Sequence, residues 1–466
     1  MSIKEKAVTS VVWSVIQNWG SQAVSLIVFL ILARLLTPEA FGLLALANVF
    51  LAFMQIFIEQ GLSQALIQRR EIDTEHLDTA FWVNLISGLL LTIISFLIAG
   101  SIAKIFHQPK LTPILKSFSV LFFINSVSHV HKAILIRELA FRILAVRTLV
   151  GILIGGMVGV IMAFSQFGVW SLVSQQIVFE SVVVLLILQA VKWRPGFKFS
   201  GKHFGDLFGF GINVVGLEFL KFVNKRADNL LIGYFLGEVA LGYYAIAYRV
   251  LQVMAQLLVG TSNQVALPTF SKLQENPEQF RQAFYRATEF TSLFAFPAFG
   301  GMAILAPELV ISAFGEQWIP SIPVMRVLAF AGIRHSLSYF NSSVFMAMGK
   351  PSWRLWITSI EAAFSLVACL VAVRWGIVAV ALAYVISLYF VFPVSQKAVN
   401  KLINVPTLLY FQQFLTPIIA TVVMVAGILV AKHFLVDLIN VKLLLMVTTL
   451  MGIIIYGLAI KFLNPK

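Results

Sequence analysis

The chain has 466 residues, of which 59% are hydrophobic and 12% charged, with a formal net charge of +14 and a mean hydropathy of +0.92. Soluble domains carry about 25% charged residues, so the composition excludes a soluble enzyme and describes a polytopic membrane protein. The lone cysteine, Cys369, falls in an apolar run and has no intramolecular disulfide partner.

Runs of about 20 apolar residues, the length that crosses a bilayer, predict an all-α protein of about 14 transmembrane helices. They lie near 8–35, 40–64, 79–103, 112–131, 143–164, 168–191, 206–235, 240–266, 287–314, 322–348, 353–373, 377–396, 407–431 and 443–461. The first run is too long for a signal-peptide core and lacks a small-residue cleavage site, so it reads as an uncleaved anchor. With the N-terminus inside, twenty-one basic residues fall on one side of the membrane, five on the other and eight within spans. That asymmetry places both termini in the cytoplasm. The excess positive charge is therefore distributed by topology and forms no nucleic-acid patch.

Span one carries Ser14, Asn18, Ser21 and Ser25 at helical spacing and ends near Arg34. Span two carries Asn48, Gln55 and Glu59. Such stripes offer hydrogen bonds to a glycan, or equally to a neighbouring helix. His129 and His131, near the end of span four, have no adjacent Cys or acidic ligand and make no metal site. In span five, GILIGGMVGV lacks the Lys-Ser/Thr of a phosphate loop, and its glycines read as helix packing.

A basic break, KWRPGFKFSGK over 192–202, separates two halves. Residues 30–67 and 230–267 align without gaps at an offset of 200, with identities at Leu36/Leu236, Ala40/Ala240, Gly42/Gly242, Met54/Met254 and Gln64/Gln264 among others. Gly42 and Gly242 both follow a short turn and open the second span of their half. The expected organisation is thus two pseudo-symmetric six-helix lobes, 1–191 and 206–400, joined by a cytoplasmic linker at 192–205. Two extra C-terminal helices follow in 401–466. An even number of spans per half relates the lobes by an axis along the membrane normal.

Span seven holds the most informative residues. Glu218, Lys221, Lys225 and Asp228 fall on one face at about 3.6 residues per turn, with Arg226 beside them, between apolar flanks. Each charge near a bilayer centre costs roughly 2.5–3.5 kcal/mol, so the stripe must face protein or water. Three cations against two acids suit an anionic passenger. The alternative is that Glu218 with Lys221 and Lys225 with Asp228 are closed ion pairs within the helix. Span eight adds Arg249, Gln252, Gln256 and Asn263, and span ten adds Arg334 with His335, Ser338, Asn341 and Ser342. Glu180 and Glu361 stand isolated in their spans. Between spans eight and nine, Ser271–Arg286 has the pattern of an interfacial amphipathic helix with Phe280, Phe284 and Tyr285 toward lipid. Pro297 and Pro307 in span nine, and Gly209, Gly211 and Gly216 in span seven, are candidate bending points. External loops are short, and no large external loop or domain carrying acidic or His catalytic groups is present, which disfavours a membrane enzyme of glycan assembly.

Several segments in order, ARLLTPEAFGLLALA, IEQGLSQALIQRR, KRADNLLIGYFLGEVALGYYAIAYRV, AFGEQWIPSIPVMRVLA and FMAMGKPSWRL, resemble the polysaccharide-exporter branch, of Wzx or O-antigen and colanic-acid type, of the multidrug/oligosaccharidyl-lipid/polysaccharide flippase superfamily. The resemblance runs the full length. It implies a V-shaped two-lobed bundle in the cytoplasmic (inner) membrane that transfers polyprenyl-diphosphate-linked oligosaccharide from inner to outer leaflet. It also implies a transporter with no cofactor, working among membrane lipids and beside polysaccharide polymerase or assembly proteins. A drug or metabolite exporter of the same fold is the alternative. For such a substrate the expected diphosphate contacts are Lys221, Lys225, Arg226, Arg249, Arg334 and Arg34. The expected glycan contacts are Asn18, Asn48, Gln55, Gln252 and Gln256. Proton or sodium coupling would fall to Asp228, Glu218 or Glu59.

Overall fold

The computed structural model describes residues 3–58, 66–67, 72–197 and 200–463, and their side chains except at 3–18, 58, 201–215, 217 and 259–265. Among the described residues every regular element is a helix, without strands. The chain divides into two compact units, 1–242 and 243–466.

The first unit contains α1 (Ile3–Leu35), α2 (Pro38–Ile58), α3 (Thr74–Ile105), α4 (Leu111–Arg137), α5 (Phe141–Phe164), α6 (Val169–Ala190), α7 (Gly201–Phe235) and the start of α8 (Gly237–Lys272). Proline opens α2, where its missing N–H costs nothing, and Gly237 at φ 81° makes the turn from α7 into α8. Helices α3 and α4, α5 and α6, and α1 and α5 are packed neighbours, while α2 lies against α4 and α7. The α5 glycines do what small residues do in membrane helices. A Cβ on Gly155 would stand 2.7 Å from the Gln175 carbonyl oxygen, and one on Gly159 2.9 Å from the Gln175 Cβ, so α5 and α6 approach closely.

The segment after α6 is tied down on α3. Asp78 Oδ1 accepts from the Gly196 N–H at 3.0 Å, Trp82 Nε1 donates to the Gly196 carbonyl at 2.8 Å, and Thr79 Oγ1 accepts from the Ser200 N–H at 3.2 Å. Phe197 stacks on Trp82.

The second unit contains the rest of α8, then α9 (Pro277–Ile304), α10 (Ala306–Ala313), α11 (Ser321–Ser338), α12 (Asn341–Ala347), α13 (Pro351–Ala372), α14 (Ile377–Leu402), α15 (Thr407–Gln412), α16 (Leu415–Leu435) and α17 (Val441–Leu463). Helix α9 packs on α11 and α16, α14 on α11 and α13, and α17 on α16 and α10.

Among the described residues, nine helices are long and apolar enough to cross a membrane, or ten if the bent pair α9–α10 counts as one span. Every expected span falls on a described helix or a consecutive pair, with the end of span two beyond the described residues. Side chains that leave the bundle are apolar, such as Leu97 at 72% and Met157 at 63% exposure. That is the outer surface hydrocarbon requires.

Two details differ from the sequence reading. Span nine, expected as one helix, bends by 76° between α9 and α10. The break sits at Leu305, with Pro307 in the first turn of α10, whereas Pro297 lies within uninterrupted α9. Second, no interfacial helix forms at 271–286. Asn276 caps α9 by accepting from the Gln279 N–H at 3.1 Å, with Pro277 following it, and the helix runs straight into the bundle. Phe280 and Phe284 are buried. Phe280 stacks on Phe270 at 5.1 Å between centroids, and Phe284 on Tyr410 at 5.9 Å. Periodicity marks an apolar face, and here other aromatics satisfy it in place of lipid. Phe284→Ala should therefore lower stability by about 3–5 kcal/mol, measured as a fall in unfolding temperature in detergent; an interfacial Phe would leave the midpoint nearly unmoved.

Candidate functional site: a cationic face on α7 and its surroundings

Within the first unit, the α7 stripe divides by depth of burial. Lys221 and Lys225 are exposed, Glu218 and Arg226 half-buried and Asp228 buried. Lys221 Nζ lies 2.5 Å from Glu218 Oε1, one turn away on the same helix, with the lysine side chain still 50% exposed. An exposed pair of this kind contributes at most about 1 kcal/mol, so the lysine is readily available to a second anion. Asp228 Oδ1 accepts the Asn229 N–H at 2.8 Å, and Asn229 Oδ1 is a buried acceptor without a partner.

Helix α2 runs antiparallel along α7. Phe53 meets Phe222 at 5.5 Å between centroids, and the space beside Gly233 is filled by Leu46. These contacts place exposed Gln55 at the level of Glu218 and Lys221, and half-buried Asn48 at the level of Asp228. Arg34 ends α1 and is exposed. Asn18 lies on α1 with its side chain outside the described set, and Glu59 lies outside the described residues.

At the end of this unit where α1 turns into α2 and α7 into α8, the turns carry their own charges. Lys110 Nζ pairs with Glu39 Oε1 at 2.6 Å, and Gln108 donates to Glu238. The hydrogen bond and charge of Glu39 raise the Lys110 pKa above the usual lysine range. The pair therefore persists to more alkaline conditions than an isolated lysine would allow.

In the second unit, Arg249 is half-buried on α8, with Gln252 and Gln256 exposed on the same helix. Arg334 is buried and already engaged. Its Nη2 pairs with Glu361 Oε1 on α13 at 2.7 Å, and its Nε donates to the Leu388 carbonyl on α14 at 3.1 Å. Glu361 was set aside in the sequence as isolated, yet it is the partner of Arg334. Glu180 likewise has Arg147 on α5 and Lys132 on α4 within electrostatic reach. A usable signal existed: opposite charges in the middles of consecutive spans have few ways to avoid stranding except to meet.

A file of polar side chains, buried from Asn341 to Asn400 and ending at exposed Thr407, lies farther along α14 and at the starts of α12 and α15. Asn341 Nδ2 donates to Ser395 Oγ at 3.1 Å and to Gln396 Oε1 at 3.2 Å, Gln396 donates to Asn400 at 2.8 Å, and Asn400 to Thr407 at 3.1 Å. An apolar cavity of about 710 Å³ opens between α8, α9, α10, α16 and α17, lined by Leu293, Pro297, Leu305, Met424, Gly452 and Tyr456 among others. Near it, Lys432 on α16 pairs with Glu308 on α10 at 2.6 Å.

Comparison with known proteins agrees with this architecture. The chain is 25% identical over 428 residues to the teichuronic acid biosynthesis protein TuaB of Bacillus subtilis (strain 168), covering 91% of this chain and 88% of that protein. It is 29% identical over 332 residues to the succinoglycan biosynthesis transport protein ExoT of Rhizobium meliloti (strain 1021), covering 71% and 67%. Over 352 residues it is 27% identical to the lipopolysaccharide biosynthesis protein WzxC of Escherichia coli (strain K12), covering 75% and 72%. Its fold matches that of the lipid II flippase MurJ in an inward closed conformation, with a TM-score of 0.79, 17% identity and coverage of 97% and 99%. It also matches an inward-facing multidrug resistance MATE family transporter of the MOP superfamily, with a TM-score of 0.63, 16% identity and coverage of 82% and 95%. The sequence model of the family described as polysaccharide biosynthesis protein matches residues 31–323, and this multi-pass helical membrane chain belongs to that family.

Proposed function

We propose that the protein is a flippase that moves polyprenyl-diphosphate-linked oligosaccharide from the inner to the outer leaflet of the cytoplasmic membrane for assembly of surface polysaccharide. The observation that carries this reading is the pair of exposed lysines, Lys221 and Lys225, midway along a helix of an apolar bundle. A lysine is not left in hydrocarbon without a counter-charge or water; Glu218 serves Lys221 at 2.5 Å, and a diphosphate would supply the charge for Lys225. Lys221, Lys225 and Arg226 on α7 are the proposed diphosphate contacts, and Arg34 on α1 and Arg249 on α8 are further proposed cations. The amides of Asn48, Gln55, Gln252 and Gln256 offer hydrogen bonds to the glycan, as would Asn18. The cavity lined by Leu293, Met424 and Tyr456 offers an isoprenoid chain an apolar surface.

The lipid-linked substrate is supported by what relatives are named for: lipopolysaccharide biosynthesis for WzxC and succinoglycan biosynthesis transport for ExoT. The repeat at an offset of 200 residues suggests that lobes 1–191 and 206–400 alternate access around the site, with 192–205 as linker, 401–466 as an addition and both termini cytoplasmic. A polymerase or assembly protein would receive the product outside. The drug-exporter reading fits less well, because organic cations would be repelled by this face.

The test is the leaflet distribution of lipid-linked saccharide in a host carrying Lys225→Ala with Arg249→Ala. Each charge-assisted contact is worth about 1.5–3 kcal/mol, so losing two should slow export at least about tenfold. The intermediate then accumulates on the inner leaflet. A normal distribution would remove the diphosphate role and favour the exporter reading.

A further inference from the structure

The Arg334–Glu361 pair is placed where a charge is most costly. Glu361 is the middle of α13, and the two side chains are only 7% and 15% exposed. As a means of holding helices together such a pair gains little, since its desolvation offsets its attraction and apolar residues of similar size do as well. Its asymmetry is more informative. Arg334 has a second anchor, the Leu388 carbonyl at 3.1 Å, so the guanidinium is fixed between α11 and α14. Glu361 is the more accessible partner and the one whose charge a proton can remove. Of the acids in 243–466, the others lie near helix ends or in turns, apart from Glu289 in the first half of α9.

We propose that Glu361 carries the coupling proton, with Arg334 as its fixed counter-charge; the inference rests on the translocation reading above. Arg334 acts electrostatically on His335 of its own helix, Tyr389 on α14 and Tyr410 on α15. Tyr389 donates to the Phe330 carbonyl and Tyr410 to that of Leu337, so both hydroxyl protons are committed. Helix α12, also packed on α13, has no titratable group. On α13 itself Arg354 and Cys369 lie about two turns away, and Arg374 follows its end. Glu361 is thus the acid that answers Arg334.

The cycle balances in protons. One proton from the outer face binds a Glu361 carboxylate oxygen, and the Nη2–Oε1 contact opens. The protein returns inward with Glu361 neutral and Arg334 still charged, its guanidinium held by the Leu388 carbonyl at 3.1 Å. One proton then leaves to the inner face, the pair closes, and the lipid-linked anion travels outward on the paired leg. Proton and substrate therefore move in opposite directions on alternate legs, and nothing is oxidised or reduced. The amide file from Asn341 through Gln396 and Asn400 to Thr407 gives the inner leg a polar path beside the pair.

The test uses everted membrane vesicles from the host, which carry the native lipid-linked saccharide, with and without an acidic lumen. The readout is the ratio of saccharide transfer under the two conditions. The wild type should respond to the gradient, Glu361→Asp should respond with altered size, and Glu361→Gln, which keeps an acceptor for Arg334, should show a ratio of unity. In parallel, the infrared carboxyl band that appears when the purified protein is acidified should be lost in Glu361→Gln. A Glu361→Gln ratio equal to wild type overturns the proton assignment and leaves translocation standing. Wild-type vesicles that transfer no saccharide overturn translocation instead, and an infrared difference unchanged by Glu361→Gln then overturns the proton assignment as well.

Discussion

Arg334→Ala with Glu361 left in place should destabilise the protein by about 3–5 kcal/mol, the cost of a buried charge that has lost its partner. The guanidinium is removed from between the Glu361 carboxylate at 2.7 Å and the Leu388 carbonyl at 3.1 Å, so an ion and an acceptor are stranded together. The check is the unfolding midpoint of purified protein in detergent, compared across Arg334→Ala, Glu361→Leu and Arg334→Met with Glu361→Leu. The double replacement should recover most of the loss, because two apolar side chains of similar volume need no partners. If Arg334→Ala is no worse than the double, the pair is not closed in the membrane. If the double is stable but exports nothing, the pair is needed for transport beyond its part in folding, as the proton assignment requires.

Gly42→Leu and Gly242→Leu should each abolish export. These two glycines approach the partner backbone reciprocally. A Cβ on Gly42 would sit 1.7 Å from the Glu238 carbonyl oxygen, and one on Gly242 would sit 2.0 Å from that of Pro38. Even alanine forces the starts of α2 and α8 apart, since the obstruction is backbone and cannot rotate away. Overpacking of this kind costs about 1–3 kcal/mol, and Leu, which adds three more carbons, costs more. The contact also forfeits the close helix approach that packs membrane helices. Gly100→Ala is the control, because nothing lies within 4 Å of a Cβ there, and it should export normally. Normal export by Gly42→Leu would mean that the two helix starts are not held together.

The reciprocity also bears on the repeat. Pro38 and Glu238, like Gly42 and Gly242, are the same positions at an offset of 200 residues. Nine identities over 38 positions, all but Gln64/Gln264 between apolar or small residues, suggested the duplication; the structure gives the paired glycines a shared physical task, close approach to a backbone.

What the sequence determined by itself was everything that depends on the cost of putting a residue into hydrocarbon. Each expected span fell on a helix or a consecutive pair of helices as far as the described residues reach, because that cost is a local sum over about 20 residues and needs no knowledge of neighbours. The family followed from the same chain order of short segments. The isolation of mid-span charges was legible for the same reason, as a demand for compensation. Which group meets that demand was decided only by tertiary structure. Glu361 looked isolated because its partner lies on α11, and Phe280 and Phe284 looked lipid-facing because periodicity defines a face without naming what covers it. The stripe on α7 shows both halves of the argument: its spacing, and with it the Glu218–Lys221 pair one turn apart, was readable, whereas the burial of Asp228 and the exposure of Lys225 depend on how α7 is rotated against α2. Hydropathy is a property of the residue, but partner and exposure are properties of the helix's rotation and its neighbours, which a one-dimensional pattern does not contain.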